Sequence, residues 1–410
     1  MEKLLHYTWK HKILPLEDIY TTDGRMVEVV DPGLYNRTDQ GPDFFNAKIK
    51  VDGLLWVGNI ELHTKASDWY RHRHDKDSAY DSVIMHVVTD ADMDVTTSLG
   101  KVLPTLCIPI AKELKQDYQE LLDNDKYPPC HRVIPNLPRT KVHSWMAALQ
   151  AERLERKTRD MEVRVEEMKG AWDDAYFCTL ARNYGFGING DAFEIWAKKM
   201  PMKAVGHHRD NLFQVETMFL GVADLIDKTD GIAENGLSYA KEFAYLQRKF
   251  GITDIGAPWR YLRTRPQNFP HVRILELARL YHERRTGISE LLACETIEQV
   301  AKLYGAKDNK LNLLIINTVA PVIFAYGRHH AKENLCERAF DFLEQTKPED
   351  NNIVRMWQEC GLDVQTAGDS QALIQLKKEY CDRKECLRCR FGYEFLTGEF
   401  RNNFLKEDYL

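Results

Sequence analysis

The chain has 410 residues, 44% hydrophobic and 29% charged, an ordinary balance for a folded protein of two or three domains. Its net charge of -6 excludes a wholesale basic protein, so contact with a polyanion would need a local patch. Nine cysteines, an odd count, argue against a disulfide framework, and no internal repeat is visible.

The opening stretch, MEKLLHYTWKHKILPLEDIY, is charged throughout and lacks an apolar signal core, which predicts a cytoplasmic protein. A short helix there is followed by the strand-like runs MVEVV, DFFNAKI, LLWVGNIELHT, SVIMHVVTD and VLPTLCIPI. Turn signals at Asp23-Gly24, Pro32-Gly33, Asp52-Gly53 and Gly100 separate them. AKELKQDYQELL then reads as a closing helix, so residues 1–125 are expected to form an α/β (α+β) domain.

Inside that domain, residues 41–86 gather Asp43, Glu61, His63, Lys65, Asp68, His72, His74, Asp77 and His86. Acids and imidazoles this dense, in segments built to be buried, suit a hard metal ion and an activated water. KVDGL joins the two central strands. A three-residue loop, Val51-Asp52-Gly53, would pair Lys50 with Leu54 and make a hairpin with a bulged turn. That register sets Asp43 opposite Glu61, Ala47 opposite Val57 and Ile49 opposite Leu55. A two-residue loop would send the carboxylates to opposite faces. His63 and Lys65 follow Glu61 at two-residue steps, on the same face. Two facing carboxylates share a proton or bind a cation. With a lysine or histidine to orient water, they suit magnesium-assisted phosphodiester hydrolysis. The plainer readings are a solvated edge for the acid pair, a core histidine for His86, and core closure by Trp69 and Tyr70. His72 and His74 lie in a polar loop, as exposed side chains, phosphate contacts or ligands.

Residues 126–140, which take in most of the proline-rich stretch DNDKYPPCHRVIPNLPR, read as a linker. From 141 to 410 the apolar spacing is helical, predicting a larger all-helical domain. LNLLIINTVAPVIFAYG, its most apolar stretch, is slightly short for a membrane span and carries Asn312, Asn317 and Pro321, so a buried core helix is expected. PWRYLRTRPQNFPHVR interleaves Arg260, Arg263, Arg265, His271 and Arg273 with Trp259, Tyr261 and Phe269, a pattern suited to phosphates and stacked bases; a surface loop is the plainer reading. In the tail YCDRKECLRCRFG, Cys381, Cys386 and Cys389 have the spacing C-x4-C-x2-C. Three thiolates need a fourth ligand, with Cys130 the first candidate, then His131 and Cys360. Four cysteines would take zinc or a [4Fe-4S] cluster.

Pro42-Asp43, the hairpin and Glu61-Leu62-His63 resemble the PD-(D/E)xK nuclease superfamily, with His63 standing where lysine is usual. The resemblance implies a mixed sheet, magnesium or manganese on Asp43 and Glu61, and His63 or Lys65 positioning water. Some nucleases of that superfamily carry a cluster on one distant cysteine and a C-terminal trio, although their distant cysteine precedes the core. The segments GPDF, GNIELH, SDW, the run from His72 to Val88 and the cysteine tail are similar, over the whole chain, to a bacterial family classed as a domain of unknown function. The expected function is therefore a divalent-metal-dependent nuclease acting on DNA or RNA, with His72, His74, Arg260, Arg263, Arg265 and Arg273 on nucleic acid. One alternative is an inactive nuclease-like binding or scaffold protein. Another is a metal-dependent hydrolase of small phosphate esters, with His72, His74 and Asp77 converging on Glu61.

Overall fold

The computed structural model describes residues 1–14, 18–36, 40–123, 128–229 and 237–397. The chain divides into two compact units, Leu137–Glu379 and a discontinuous one made of 1–136 and 380–410. The cysteine tail, assigned from sequence to the helical domain, thus groups with the first unit. Part of the expected linker, residues 126 and 127, lies outside the described residues.

The first unit opens with helix α1 (Glu2–Lys10), whose Leu4, Leu5 and Trp9 are fully buried. Its strands are β1 (Ile19–Tyr20), β2 (Met26–Asp31), β3 (Leu34–Tyr35), β4 (Phe44–Val51), β5 (Leu54–Lys65), β6 (Val83–Asp90) and β7 (Thr105–Cys107). They form one mixed sheet in the order β1-β2-β4-β5-β6-β7, with β3 on β4. The β5–β6 and β6–β7 pairings are parallel. A bridge between Thr21 and Leu106 links the first strand back to the last, leaving the sheet nearly closed. Parallel neighbours need a crossover, and the one between β5 and β6 carries helix α2 (Asp68–Arg71) and two 3-10 turns. Helix α3 (Lys112–Asp123) follows β7.

The hairpin differs from expectation in an instructive way. Val51 pairs with Leu54 and Lys50 with Leu55, so the loop is two residues, Asp52-Gly53, and not three. Ala47 accordingly opposes Gly58, and Ile49 opposes Trp56, while Leu54, Leu55 and Val57 are exposed. Left alone, that register would separate Asp43 from Glu61. A bulge between Phe44 and Ala47 inserts one residue and restores the phase, so Phe44 pairs with Ile60. Asn46 takes a left-handed φ of 55° there, and its N–H donates to Asn59 Oδ1 at 3.2 Å. Gly33, at φ 92°, passes so close that a Cβ would lie 2.6 Å from the Phe45 carbonyl oxygen.

Among its described residues, the named elements of the second unit are all helices, with an extended stretch over 252–261. Long helices at Arg139–Glu167, Trp172–Tyr184, Leu212–Ala223 and Pro270–His282 pack around one apolar core. Helices at Gly190–Lys199, Met202–His207 and Ile297–Tyr304 were not separated by the sequence pattern. The apolar stretch runs as a helix over Asp308–His329, with a π-turn at Ile315–Val319. It is long and apolar enough to cross a membrane, but 72% of the apolar window is buried inside the protein, where the helix serves as core.

Candidate active site

Glu61 and His63 leave β5 on the face that His86 of β6 shares, because Glu61 pairs with His86 in the parallel register. Thr105 is paired with His86 from β7. The crossover folds over this face. Trp69 anchors it with its indole N–H donating to the Thr96 carbonyl at 2.9 Å, and stands edge-on to His74 at 5.3 Å between ring centres. Tyr80 covers His74 from the other side at 3.7 Å.

The carboxylates interlock across the hairpin. Asp43 N–H donates to Glu61 Oε2 at 3.0 Å, and Leu62 N–H donates to Asp43 Oδ2 at 2.9 Å. Glu61 Oε1 then faces His74 Nε2 at 3.3 Å and His63 Nε2 at 3.6 Å. His63 Nδ1 lies 2.8 Å from His86 Nε2, and His63 Nε2 lies 3.0 Å from His72 Nδ1. The ligand atoms of His63, His72 and His74 all fall within 4.8 Å of one another. Glu61 and His63 are 5% and 1% exposed, whereas His72 is exposed and marks the mouth.

Burial dominates the electrostatics. It raises the Glu61 carboxyl, and the charge of Asp43 adds to the rise. It pushes His63 down to about 2, with help from His86, His74 and His72, and His86 down to about 4. His74 is lowered for the same first reason. These imidazoles are therefore neutral, the form that ligates metals. Burial also opposes the charged form of His6, but hydrogen bonding and charge from Asp43, 3.3 Å away, outweigh it and raise the value. The buried atoms His86 Nδ1 and Thr105 Oγ1 have no hydrogen-bond partner. Orphaned polar atoms around a carboxylate and neutral imidazoles fit a divalent cation that accepts nitrogen and oxygen together. With His63 Nε2 on a metal, its Nδ1–H would donate to His86, which then fixes the ring.

Other residues singled out in the sequence are placed differently. The Lys65 ammonium is exposed and lies 3.8 Å from Asp90, so it does not join the carboxylates. His72 and His74 fold in beside His63, with His72 Nδ1 3.0 Å from His63 Nε2 and His74 Nε2 3.3 Å from Glu61. Asp68 accepts from Lys65 N–H at 3.2 Å and pairs with Arg71 at 2.9 Å; Asp77 caps the turn at Ser78. Arg273 is buried, bonded to Asn268 and Glu276 and stacked over Phe186, so it does not offer its guanidinium to a polymer. Trp259 is likewise tied inward, to the Ala223 carbonyl at 2.8 Å. Arg260, Arg263 and Arg265 are exposed on their loop. The sequence reading missed His6, whose approach to Asp43 depends on how α1 packs, and the pairing role of His86. A histidine in the apolar run SVIMHVV was the available signal for the second.

Cys130, Cys381, Cys386 and Cys389 line one cavity of the first unit, whereas Cys360 belongs to the second. Burial and the neighbouring thiols Cys389, Cys381 and Cys386 hold the Cys130 thiol well above its ordinary value.

A family model described as protein of unknown function (DUF2851) matches residues 2–310 and 304–352. The chain belongs to that family. The match spans the sheet, its crossover and most of the helical unit, so Asp43, Glu61 and all five pocket histidines lie within the family's domain. No curated protein and no solved structure matches the chain.

Proposed function

We propose that this member of the family is a divalent-metal-dependent hydrolase of phosphodiester bonds in DNA or RNA. The observation that carries the reading is the convergence of two interlocked carboxylates with three imidazoles: Glu61 Oε1 stands 3.3 Å from His74 and 3.6 Å from His63. The resemblance of Pro42-Asp43 and Glu61-Leu62-His63 to PD-(D/E)xK nucleases supports the same class. Asp43, Glu61, His63, His72 and His74 would hold the ion, which supplies Lewis acidity and lowers the pKa of a bound water. This nitrogen-rich set favours manganese or zinc over magnesium, which prefers oxygen. His63, and not Lys65, lies beside Glu61. His6, biased toward its protonated form by Asp43, is the proton carrier beside that carboxylate. Arg260, Arg263 and Arg265 supply exposed charge for a phosphate backbone.

A second reading, hydrolysis of a small phosphate ester, is favoured by the convergence of His72 and His74 with His63 beside Glu61, which needs no arginine loop. One assay separates the readings. Labelled single- and double-stranded DNA and RNA, and p-nitrophenyl phosphate, are incubated with manganese, zinc, magnesium or EDTA, comparing wild type with Glu61→Gln and Asp43→Ala. Metal-dependent cutting of polymer, lost in both variants, is the expected result. Turnover of the monoester alone selects the second reading. No turnover of any substrate removes both and leaves a non-catalytic binding role.

A further inference from the structure

The active site uses none of the cysteines, yet four of them meet. Cys130 lies near the point where the chain leaves the first unit at Asn136, and the other three follow the point where it returns at Tyr380. Together they line a cavity of about 300 Å³ with Leu121, Leu122, Pro129, Tyr380 and Gly392. The local backbone is shaped to bring the sulfurs there. Lys384 N–H donates to the Cys381 carbonyl at 3.0 Å, with Lys384 itself in the left-handed region at φ 54°. Glu385 N–H returns to the Tyr380 carbonyl at 2.8 Å, reversing the chain. Cys389 N–H donates to the Cys386 carbonyl at 3.2 Å, closing the C-x2-C turn. The tail helix, Arg390–Thr397, then starts against that turn. A Cβ at Gly392 would lie 2.1 Å from the Cys386 carbonyl oxygen, so the close approach needs glycine.

We infer that Cys130, Cys381, Cys386 and Cys389 form a structural metal centre of four thiolates, which joins the departing and returning segments of the first unit. Sulfur-only donors select a soft or borderline metal, zinc or iron in a sulfide cluster, and not the hard cations that carboxylates take. Four thiolates leave the centre with net negative charge. Lys384 lines the same cavity, its ammonium fixed 2.9 Å from the Leu122 carbonyl, and offsets part of that charge. With every position taken by protein, the centre has no open site for substrate and serves architecture. A link closing so long a loop restricts the unfolded chain strongly.

The test uses the full chain, purified under reducing, anaerobic conditions. Zinc, iron and acid-labile sulfide are measured in wild type, Cys386→Ser/Cys389→Ser, His63→Ala/His74→Ala and Cys107→Ser. The expected result is one equivalent of zinc, or iron with sulfide, that survives the histidine and Cys107 changes and is lost from the double cysteine variant, whatever ion the imidazole pocket retains. Zinc without sulfide names a mononuclear centre; iron with sulfide and visible absorption names a cluster. A double cysteine variant that keeps the full wild-type metal content overturns the assignment. Wild-type protein gives a readout independent of variant folding. Cys381 and Cys386 should resist alkylation until a chelator strips the metal, while exposed Cys107 reacts at once. Equal alkylation of the two with and without chelator also overturns it.

Discussion

The imidazole–carboxylate pocket and the thiol cavity belong to the same unit and are built on opposite plans. The pocket mixes nitrogen and oxygen donors, is drawn from α1, β4, β5, β6 and the crossover, and opens at His72. The cavity gathers four cysteine sulfurs from two short segments at the ends of a long excursion, against the end of α3. The difference teaches how donor chemistry divides labour. Mixed donors with orphaned polar atoms suit an ion that exchanges ligands during a reaction. Uniform thiolates suit one that stays.

The sharpest way to break the comparison is to delete Asn46. Removing the bulge shifts β4 by one residue and turns Asp43 away from Glu61. Metal-dependent turnover should fall to background, while the metal of the thiol cavity is retained, as elemental analysis would show. Next comes the exchange of effects between sites. His74→Ala should cost at least 100-fold in turnover with little change in melting temperature, and Cys386→Ser should lower the melting temperature of the first unit. Calorimetry beside the cleavage assay checks both, and a large melting shift in His74→Ala would erase the distinction. His86→Ala removes only the partner of His63 Nδ1, and metal affinity should drop by about 10–100-fold, measured by competition with a chromogenic chelator.

The pH response separates the sites further. In metal-free protein the Glu61 carboxyl is raised above its ordinary value of 4.5 by burial and by Asp43. A raised carboxyl contributes stability that is complete below 4.5 and lost as pH climbs toward the folded value. Stability of the metal-free protein should therefore fall with rising pH at up to about 1.4 kcal/mol per pH unit. Glu61→Gln should flatten that slope, seen in urea midpoints. The smallest effect belongs to the exposed loop: Arg263→Ala should reduce the salt dependence of any polymer binding by about one unit of slope, checked by titration at several salt concentrations.

The elements that sequence made legible were those with local signals. The runs over β2, β4, β5 and β6 carried their periodicity openly. The facing of Asp43 and Glu61 was expected for a reason that does not hold, since the loop has two residues and the bulge at Asn46 compensates. A bulge depends on partners such as Asn59 that spacing does not reveal. The placement of His74 beside Glu61 and of His72 beside His63 follows from the parallel pairing of β5 with β6, a long-range choice that an isolated crossover loop does not announce. Arg273 read as a polymer contact because its charge is visible in sequence, and its partners Asn268, Glu276 and Phe186 are not.

The division of the first unit into two stretches also sets an order on biosynthesis. Residues 1–136 leave the ribosome well before the segment from Tyr380 that completes their fold. The intervening stretch of about 240 residues takes roughly 12 to 50 seconds to translate at typical rates. Throughout that interval the nascent sheet lacks the tail residues that pack with it, while the helical stretch emerges in one piece. The protein therefore closes its first-made part last, and a nascent chain stalled short of Tyr380 would present an unfinished unit to the cell's chaperones and proteases.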